Sequence, residues 1–147
     1  MTPDCFLDTN ILVYAATADP TEADKRQTAL RLIETEDFAL SAQVLQEFFV
    51  TVTRKFDQPM SPAEAMEWLE QLEAFPCMPI DTGLVKIAVE ISERHLISYW
   101  DGAVIAAARK AGAALLYSED LSDGQVYDGV RVVNPFSSGA MKVQDGV

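Results

Sequence analysis

Apolar residues along the chain alternate between two patterns. Short apolar runs at Cys5-Phe6-Leu7, Phe38-Ala39-Leu40, Cys77-Met78-Pro79-Ile80, Leu115-Leu116-Tyr117 and Val130-Arg131-Val132-Val133 read as strands. Most of them are separated by longer stretches with helical spacing. Ala65, Trp68, Leu69 and Leu72 fall at i, i+3, i+4 and i+7, and Leu84, Ile87, Ala88 and Ile91 repeat the spacing, so each helix offers one apolar face to a sheet. His95 continues the second stripe near a helix end, where the helix dipole or the core edge accounts for it. In a third helical run from Ser41 to Phe56, Val44, Leu45, Phe48 and Val52 form the buried arc. Helix starts are marked by Thr21 with Asp24, by Ser61-Pro62 with Glu64, and by Asp81.

Strands joined by long helical crossovers must run parallel, and right-handed crossovers place helices on both faces of the sheet. The expected fold is therefore α/β, a parallel sheet of four to five strands with helices on both faces. A chain of 147 residues suits one domain, here residues 1–136, followed by a loose tail from 137 to 147. No repeat or interdomain linker interrupts it.

Hydrophobic residues make up 49% and charged residues 23%, a composition that folds compactly in water. Met1-Thr2-Pro3-Asp4 has no basic start, and no segment approaches the roughly 20 apolar residues of a membrane span, which points to the cytoplasm and away from a membrane. Cys5 and Cys77 both lie in or beside expected core strands. Two thiols build neither a disulfide framework nor a zinc site, so both read as buried packing residues. Eleven basic against 23 acidic residues give a net charge of −12, the wrong sign for gripping phosphates directly. Bound cations would offset part of that acid.

In open parallel sheets, ligands bind beyond the carboxyl ends of the strands. Asp8 follows the first apolar run at a strand-to-helix turn, a place where a helix N-cap also belongs. Asp120 follows Leu115-Leu116-Tyr117-Ser118-Glu119 in similar fashion, with Asp123 close behind as an alternative acid. Glu47 projects beside the buried arc of its helix. Asp101 stands three residues after Ser98 and ahead of an Ala-rich run, a spacing that equally suits a capping box.

The ordered set Phe6-Leu7-Asp8-Thr9-Asn10-Ile11-Leu12, Glu47, Tyr99-Trp100-Asp101-Gly102-Ala103 and Tyr117-Ser118-Glu119-Asp120-Leu121 resembles the PIN-domain nucleases, especially VapC-type toxins of bacterial toxin-antitoxin pairs. The likeness spans Cys5 to about Phe136. It implies a PIN-like sheet with an acidic pocket binding Mg²⁺ or Mn²⁺, in which Asp8, Glu47, Asp101 and Asp120 take the catalytic and metal-ligand positions. Asp8 and Asp101 would be the direct ligands, and Thr9, Asn10 and Ser118 would support them. Ser118 stands where threonine is commoner, a change that keeps the hydroxyl. The resemblance further implies an RNA substrate, a cognate antitoxin and a homodimer.

Independent physical chemistry agrees on the cation. Two carboxylates 4 Å apart repel by about 4 kcal/mol at an effective dielectric of 20, so clustered acids need metal or protons. Hard oxygen donors without partnering Cys or His favour Mg²⁺ or Mn²⁺. The expected activity is metal-dependent hydrolysis of RNA phosphodiesters. Two rivals remain: a phosphatase or phosphotransferase using Asp8 as nucleophile, and a non-catalytic binding module whose acids are caps and solvated loops. Asn10, where a second Asp would help the first rival, counts against it.

Overall fold

The protein is described from a computed structural model covering residues 2–137; the expected tail beyond residue 137 lies outside the described residues. The chain runs β1 (Cys5–Leu7), α1 (Thr9–Ala16), a 3₁₀ turn (Pro20–Glu22), α2 (Ala23–Thr35), β2 (Phe38–Ser41), α3 (Ala42–Arg54), α4 (Pro62–Leu72), β3 (Cys77–Met78), α5 (Thr82–His95), α6 (Tyr99–Ala111), β4 (Leu115–Tyr117), β5 (Val126–Tyr127) and β6 (Val130–Val133). The strands form one sheet in the order β3-β2-β1-β4-β6-β5. All neighbours pair in parallel except β5 with β6.

The α/β class and the five expected strands are thus present, and the sheet is one strand larger than expected. Val126-Tyr127 is too short to show a periodicity of its own. Its signature was the turn that follows, where Asp128 and Gly129 both adopt left-handed φ values of 50° and 85°. Asp-Gly between Val126-Tyr127 and Val130-Arg131 is the usual sequence for a two-residue hairpin turn of that kind.

From β1 the chain steps outward to β2 and β3, then returns across the sheet to β4 on the far side of β1. With right-handed crossovers, movement in opposite directions places the connecting helices on opposite faces. The contacts agree: α1 packs on α2 and α3, and α3 on α4, whereas α5 packs on α6. The order therefore reverses between β1 and β4, and an open α/β sheet has its natural crevice at the carboxyl ends of such a pair.

β1 and Phe38, Ala39 and Leu40 of β2 are fully buried. Helix α6 lies against several strands with Gly102 to Ala108 buried, which explains its small side chains. A Cβ on Gly102 would come within 2.7 Å of the Ala88 carbonyl oxygen, so α5 and α6 touch backbone to backbone just after Asp101.

The Ser61-Glu64 capping box forms as expected, and the Asp81 side chain accepts from the Leu84 amide. Three local expectations fail. Thr21 caps nothing, because Asp19 accepts from the Thr21 amide and starts the 3₁₀ turn, with α2 beginning only at Ala23. Ile87 sits at the edge of its stripe and is exposed, while Leu84, Ala88 and Ile91 are buried. Cys77 is exposed because β3 is the edge strand, whereas Cys5 is buried and its thiol is pushed up to about 12, first by desolvation and then by Glu36, Asp4 and Asp37. Among the described residues no helix is long and apolar enough to cross a membrane.

Candidate active site

β1 ends at Leu7, and Asp8 begins α1 as its N-cap. The Asp8 amide donates to the Tyr117 carbonyl at 3.1 Å, so the end of β1 is pinned to the end of β4. The next residue after β4, Ser118, is fully buried and donates its hydroxyl to Asp8 Oδ2 at 2.7 Å, while the Thr9 amide donates to Oδ1 at 2.7 Å. Two strands thus deliver one buried carboxylate and the groups that orient it.

Asn10 extends the constellation. Its Nδ2 donates to Asp120 Oδ2 at 3.2 Å and, more weakly, to Asp8 Oδ2 at 3.5 Å, and its Oδ1 accepts from the Glu119 amide at 3.2 Å. The Asp120 amide donates to Ser118 Oγ at 3.1 Å. The loop after β4 is therefore folded around Asn10 and Ser118 with Asp120 turned toward Asp8. Asp123 is turned elsewhere, its Oδ1 accepting from the Asn134 amide at 2.9 Å.

The third and fourth acids arrive on helices. Ser98 caps α6 by accepting from the Asp101 amide at 3.1 Å, which fixes Asp101 in the first turn. Glu47 lies on α3, where Gln43, one turn earlier, donates through Nε2 to Glu47 Oε1 at 2.7 Å and to the Trp100 carbonyl at 3.3 Å. Gln43 thereby ties α3 to the start of α6.

Asp8 is only 5% exposed, and burial pushes its carboxyl up to about 6 against the pull of Ser118 and Thr9, with the charges of Asp120 and Glu47 adding to the rise. Asp101, half-buried, is also raised, first by desolvation and then by the charge of Asp120 against a lowering bond from Ser98. Glu47 and Asp120 are exposed at the rim. Asp120 thus acts on both Asp8 and Asp101, and Glu47 acts on Asp8, which links the four carboxylates electrostatically.

The paired cations are elsewhere. Lys25 pairs with Glu119 at 2.6 Å, Arg94, His95 and Arg109 gather on Asp128, and Lys110 reaches Asp81 at 3.5 Å. Among the described residues no basic side chain forms an ion pair with Asp8, Glu47, Asp101 or Asp120. The position of His95 at the end of α5 is as expected; its partner, Asp128, was hidden in the hairpin turn.

An all-oxygen donor set around a buried carboxylate, with no protein cation opposite it, fits a hard divalent ion. No three described His, Cys, Asp or Glu side chains converge closely enough to enclose an ion alone. The set is therefore suited to a metal that keeps much of its water shell, as Mg²⁺ does. Thr9 Oγ1 is buried and makes no hydrogen bond, leaving one further oxygen beside Asp8 without a partner.

Two participants lay beyond sequence reasoning. Gln43 gave no signal, since its partners are a carboxylate one turn away and a carbonyl 57 positions distant. Glu119 was passed over between Ser118 and Asp120, yet it accepts from Tyr14 Oη at 2.7 Å and from Lys25, bracing the loop that carries Asp120.

Solved structures share this architecture. VapC20 of Mycobacterium tuberculosis, a sarcin-ricin loop cleaving toxin, is similar at 23% identity with a TM-score of 0.65, over 86% of this chain and 98% of that one. A chain of a toxin-antitoxin complex from Klebsiella pneumoniae is 19% identical with a TM-score of 0.67, covering 90% and 98%. A chain of FitAcB from Neisseria gonorrhoeae is 22% identical with a TM-score of 0.65, covering 90% and 99%. Comparison with curated proteins finds no match. Residues 5–122, which carry the sheet through β4, both acid-bearing helices and the loop of Asp120, match the PIN domain, and the chain belongs to the PIN domain family.

Proposed function

We propose that this chain is a divalent-metal-dependent endoribonuclease and the toxin of a toxin-antitoxin pair. The observation that carries the reading is the pocket itself: Asp8 buried at the reversal point of a PIN sheet, with the charges of Glu47 and Asp120 acting on it and that of Asp120 on Asp101, and no ion pair to any of the four among the described residues. The similarity to VapC20, a sarcin-ricin loop cleaving toxin, and to a chain of a toxin-antitoxin complex supports the biological role.

Asp8 and Asp101 would hold Mg²⁺ or Mn²⁺, with Glu47 and Asp120 reaching the ion or its waters. When bound, the ion lowers the pKa of a water, polarises the scissile phosphate and stabilises charge on the leaving oxygen. Ser118 and the Thr9 amide keep both Asp8 oxygens oriented, which fixes the ligand before substrate arrives. Asn10 holds Asp120 beside Asp8 despite their mutual repulsion. Glu47, exposed and steadied by Gln43, would accept a hydrogen bond from the attacking water. Asp123 is assigned no part, because it is committed to Asn134.

Use of Asp8 as a phosphoryl acceptor is less well supported, since its oxygens are buried and held by Thr9 and Ser118. An antitoxin partner, by analogy with the toxin-antitoxin complex from Klebsiella pneumoniae, and a homodimer, which the family resemblance implies, are part of the same proposal. The test is cleavage of labelled RNA by the wild type and by Asp8→Asn. Cleavage should require added Mg²⁺ or Mn²⁺, stop reversibly with EDTA, and fall at least about 100-fold in the variant, as loss of a group that stabilises developing charge does. Full activity in Asp8→Asn, or activity in excess EDTA, would overturn the proposal.

A further inference from the structure

Next to the acidic pocket lies a cleft of about 370 Å³ whose walls include Gln43, Gln46, Glu47, Val50, Lys55 and Trp100. Its most unusual feature is Trp100, which is 64% exposed although it directly precedes Asp101 in the first turn of α6. Large aromatic side chains bury 150–250 Å² when covered, so one left in water beside a reactive site invites a ligand.

The indole is nonetheless held in place. The Tyr99 ring packs edge-on against it, with centroids 5.1 Å apart and an interplanar angle of 81°. The buried Gln43 fixes the backbone beneath it and, through the same Nε2, the carboxylate of Glu47. Ring and carboxylate are therefore registered to each other by one amide.

The rest of the cleft supplies what an RNA strand needs. Gln46 presents an exposed amide able to donate to or accept from a base edge. Lys55 lies at the C-cap of α3, makes no ion pair among the described residues, and lines both this cleft and a second one against Tyr14 and Thr17. An aromatic face, an adaptable amide and a lone cation are the elements by which proteins hold unpaired nucleotides.

We infer that Trp100 is the stacking platform for an unpaired base flanking the scissile phosphate, with Gln46 at the base edge and Lys55 on a neighbouring phosphate. The inference rests on the ribonuclease reading and names the side chain that would hold an unpaired base beside the scissile phosphate. A base inside a duplex is covered on both faces by its neighbours and has none to offer the indole.

The probe is a mixed-sequence RNA strand of about a dozen nucleotides, alone or annealed to its complement. In an Asp8→Asn, Trp68→Phe protein with Mg²⁺, Trp100 is the sole tryptophan and cleavage is blocked, so its fluorescence reports stacking. The single strand should quench it and the duplex should not. In the otherwise native chain, Trp100→Ala should raise KM for the single strand by roughly 5- to 150-fold, the share one stacked base carries, while Trp100→Phe keeps most of the affinity.

An unchanged KM in Trp100→Ala with cleavage intact overturns the inference and leaves the ribonuclease reading standing. Fluorescence indifferent to RNA but quenched by the cognate antitoxin would also overturn it, assigning the ring to a protein partner. If single-stranded RNA quenches Trp100 yet the wild type never cleaves it, the platform stands and the hydrolytic reading fails.

Discussion

Replacing Asp8 with Asn should stabilise the metal-free protein at pH 8 and destabilise it near pH 4. Asp8 titrates near 3.8 in a solvated chain and about 6 in the fold, so folding favours its protonated form. The stability this supplies is fully present below about pH 4 and is lost as the pH rises through 6, because above that value the fold must hold a buried charge. At about 1.4 kcal/mol per pH unit the loss amounts to roughly 3 kcal/mol. The residue is almost fully buried, so little solvent screening discounts the figure.

The amide is neutral throughout and escapes this penalty. It is not a perfect substitute: Oδ1 still accepts from the Thr9 amide, but an NH₂ replaces the oxygen that takes the Ser118 hydroxyl and faces Asn10 Nδ2. That mismatch costs about 1–2 kcal/mol at every pH. The variant should therefore be about 1–2 kcal/mol more stable than wild type at pH 8 and less stable by a similar amount near pH 4. Urea denaturation in EDTA at matched protein concentration, repeated across this range, measures the difference directly. A gap that stays constant with pH would refute the assignment of the strain to Asp8. At pH 8, Mg²⁺ at about 100 times its Kd should add about 2.7 kcal/mol to the wild type and much less to the variant.

Gly102→Ala should lower stability by about 1–3 kcal/mol and impair cleavage, because the new methyl meets the Ala88 carbonyl oxygen and must push α6, with Asp101, away from α5; a melting curve and a cleavage assay together check it. Asp128→Asn tolerates the same left-handed turn but removes the charge shared by Arg94, His95 and Arg109, so it should destabilise the fold by about 1 kcal/mol or less, with the gap to wild type shrinking at high salt. A thiol reagent should modify Cys77 in the native protein, while Cys5, buried and pushed up to about 12, should react only in denaturant.

The parts of the site readable from sequence are those whose local grammar and chemical role coincide. Asp8 follows an apolar strand and caps the helix after it; the same geometry that satisfies the helix amide places the carboxylate at the sheet's crevice. Asp101 donates its amide to the cap residue Ser98 and so stands in the first turn of a helix whose small side chains mark close packing. What the sequence withheld depends on tertiary approach. The three acids Glu119, Asp120 and Asp123 are equivalent as letters, and only the bonds to Lys25, Asn10 and Asn134 sort them. Gln43 joins Glu47 to the start of α6 across a distance no periodicity encodes. Ile87 and Cys77 failed for a common reason: an apolar residue at the margin of a helix stripe or in an edge strand has the right pattern and no neighbour to cover it.

The charge of −12, which at first opposes any contact with RNA, is distributed in a way that resolves the objection. Had the fold meant to neutralise its pocket internally, the nearest economical device would be an Arg or Lys beside Asp8. Instead Lys25 reaches past the pocket to Glu119, and Arg94 and Arg109 are spent on a hairpin turn at Asp128. Burial, with the charges of Asp120 and Glu47 adding to it, raises Asp8 well above its ordinary range, a cost that persists only because β1, β4, Asn10 and Ser118 hold the carboxylates there. Such an arrangement lowers its energy by drawing a cation from solution, and that cation reverses the local sign where a phosphate must approach. The protein then needs few basic residues for substrate, and a ring such as Trp100 can carry binding that lysines and arginines supply in more basic nucleases.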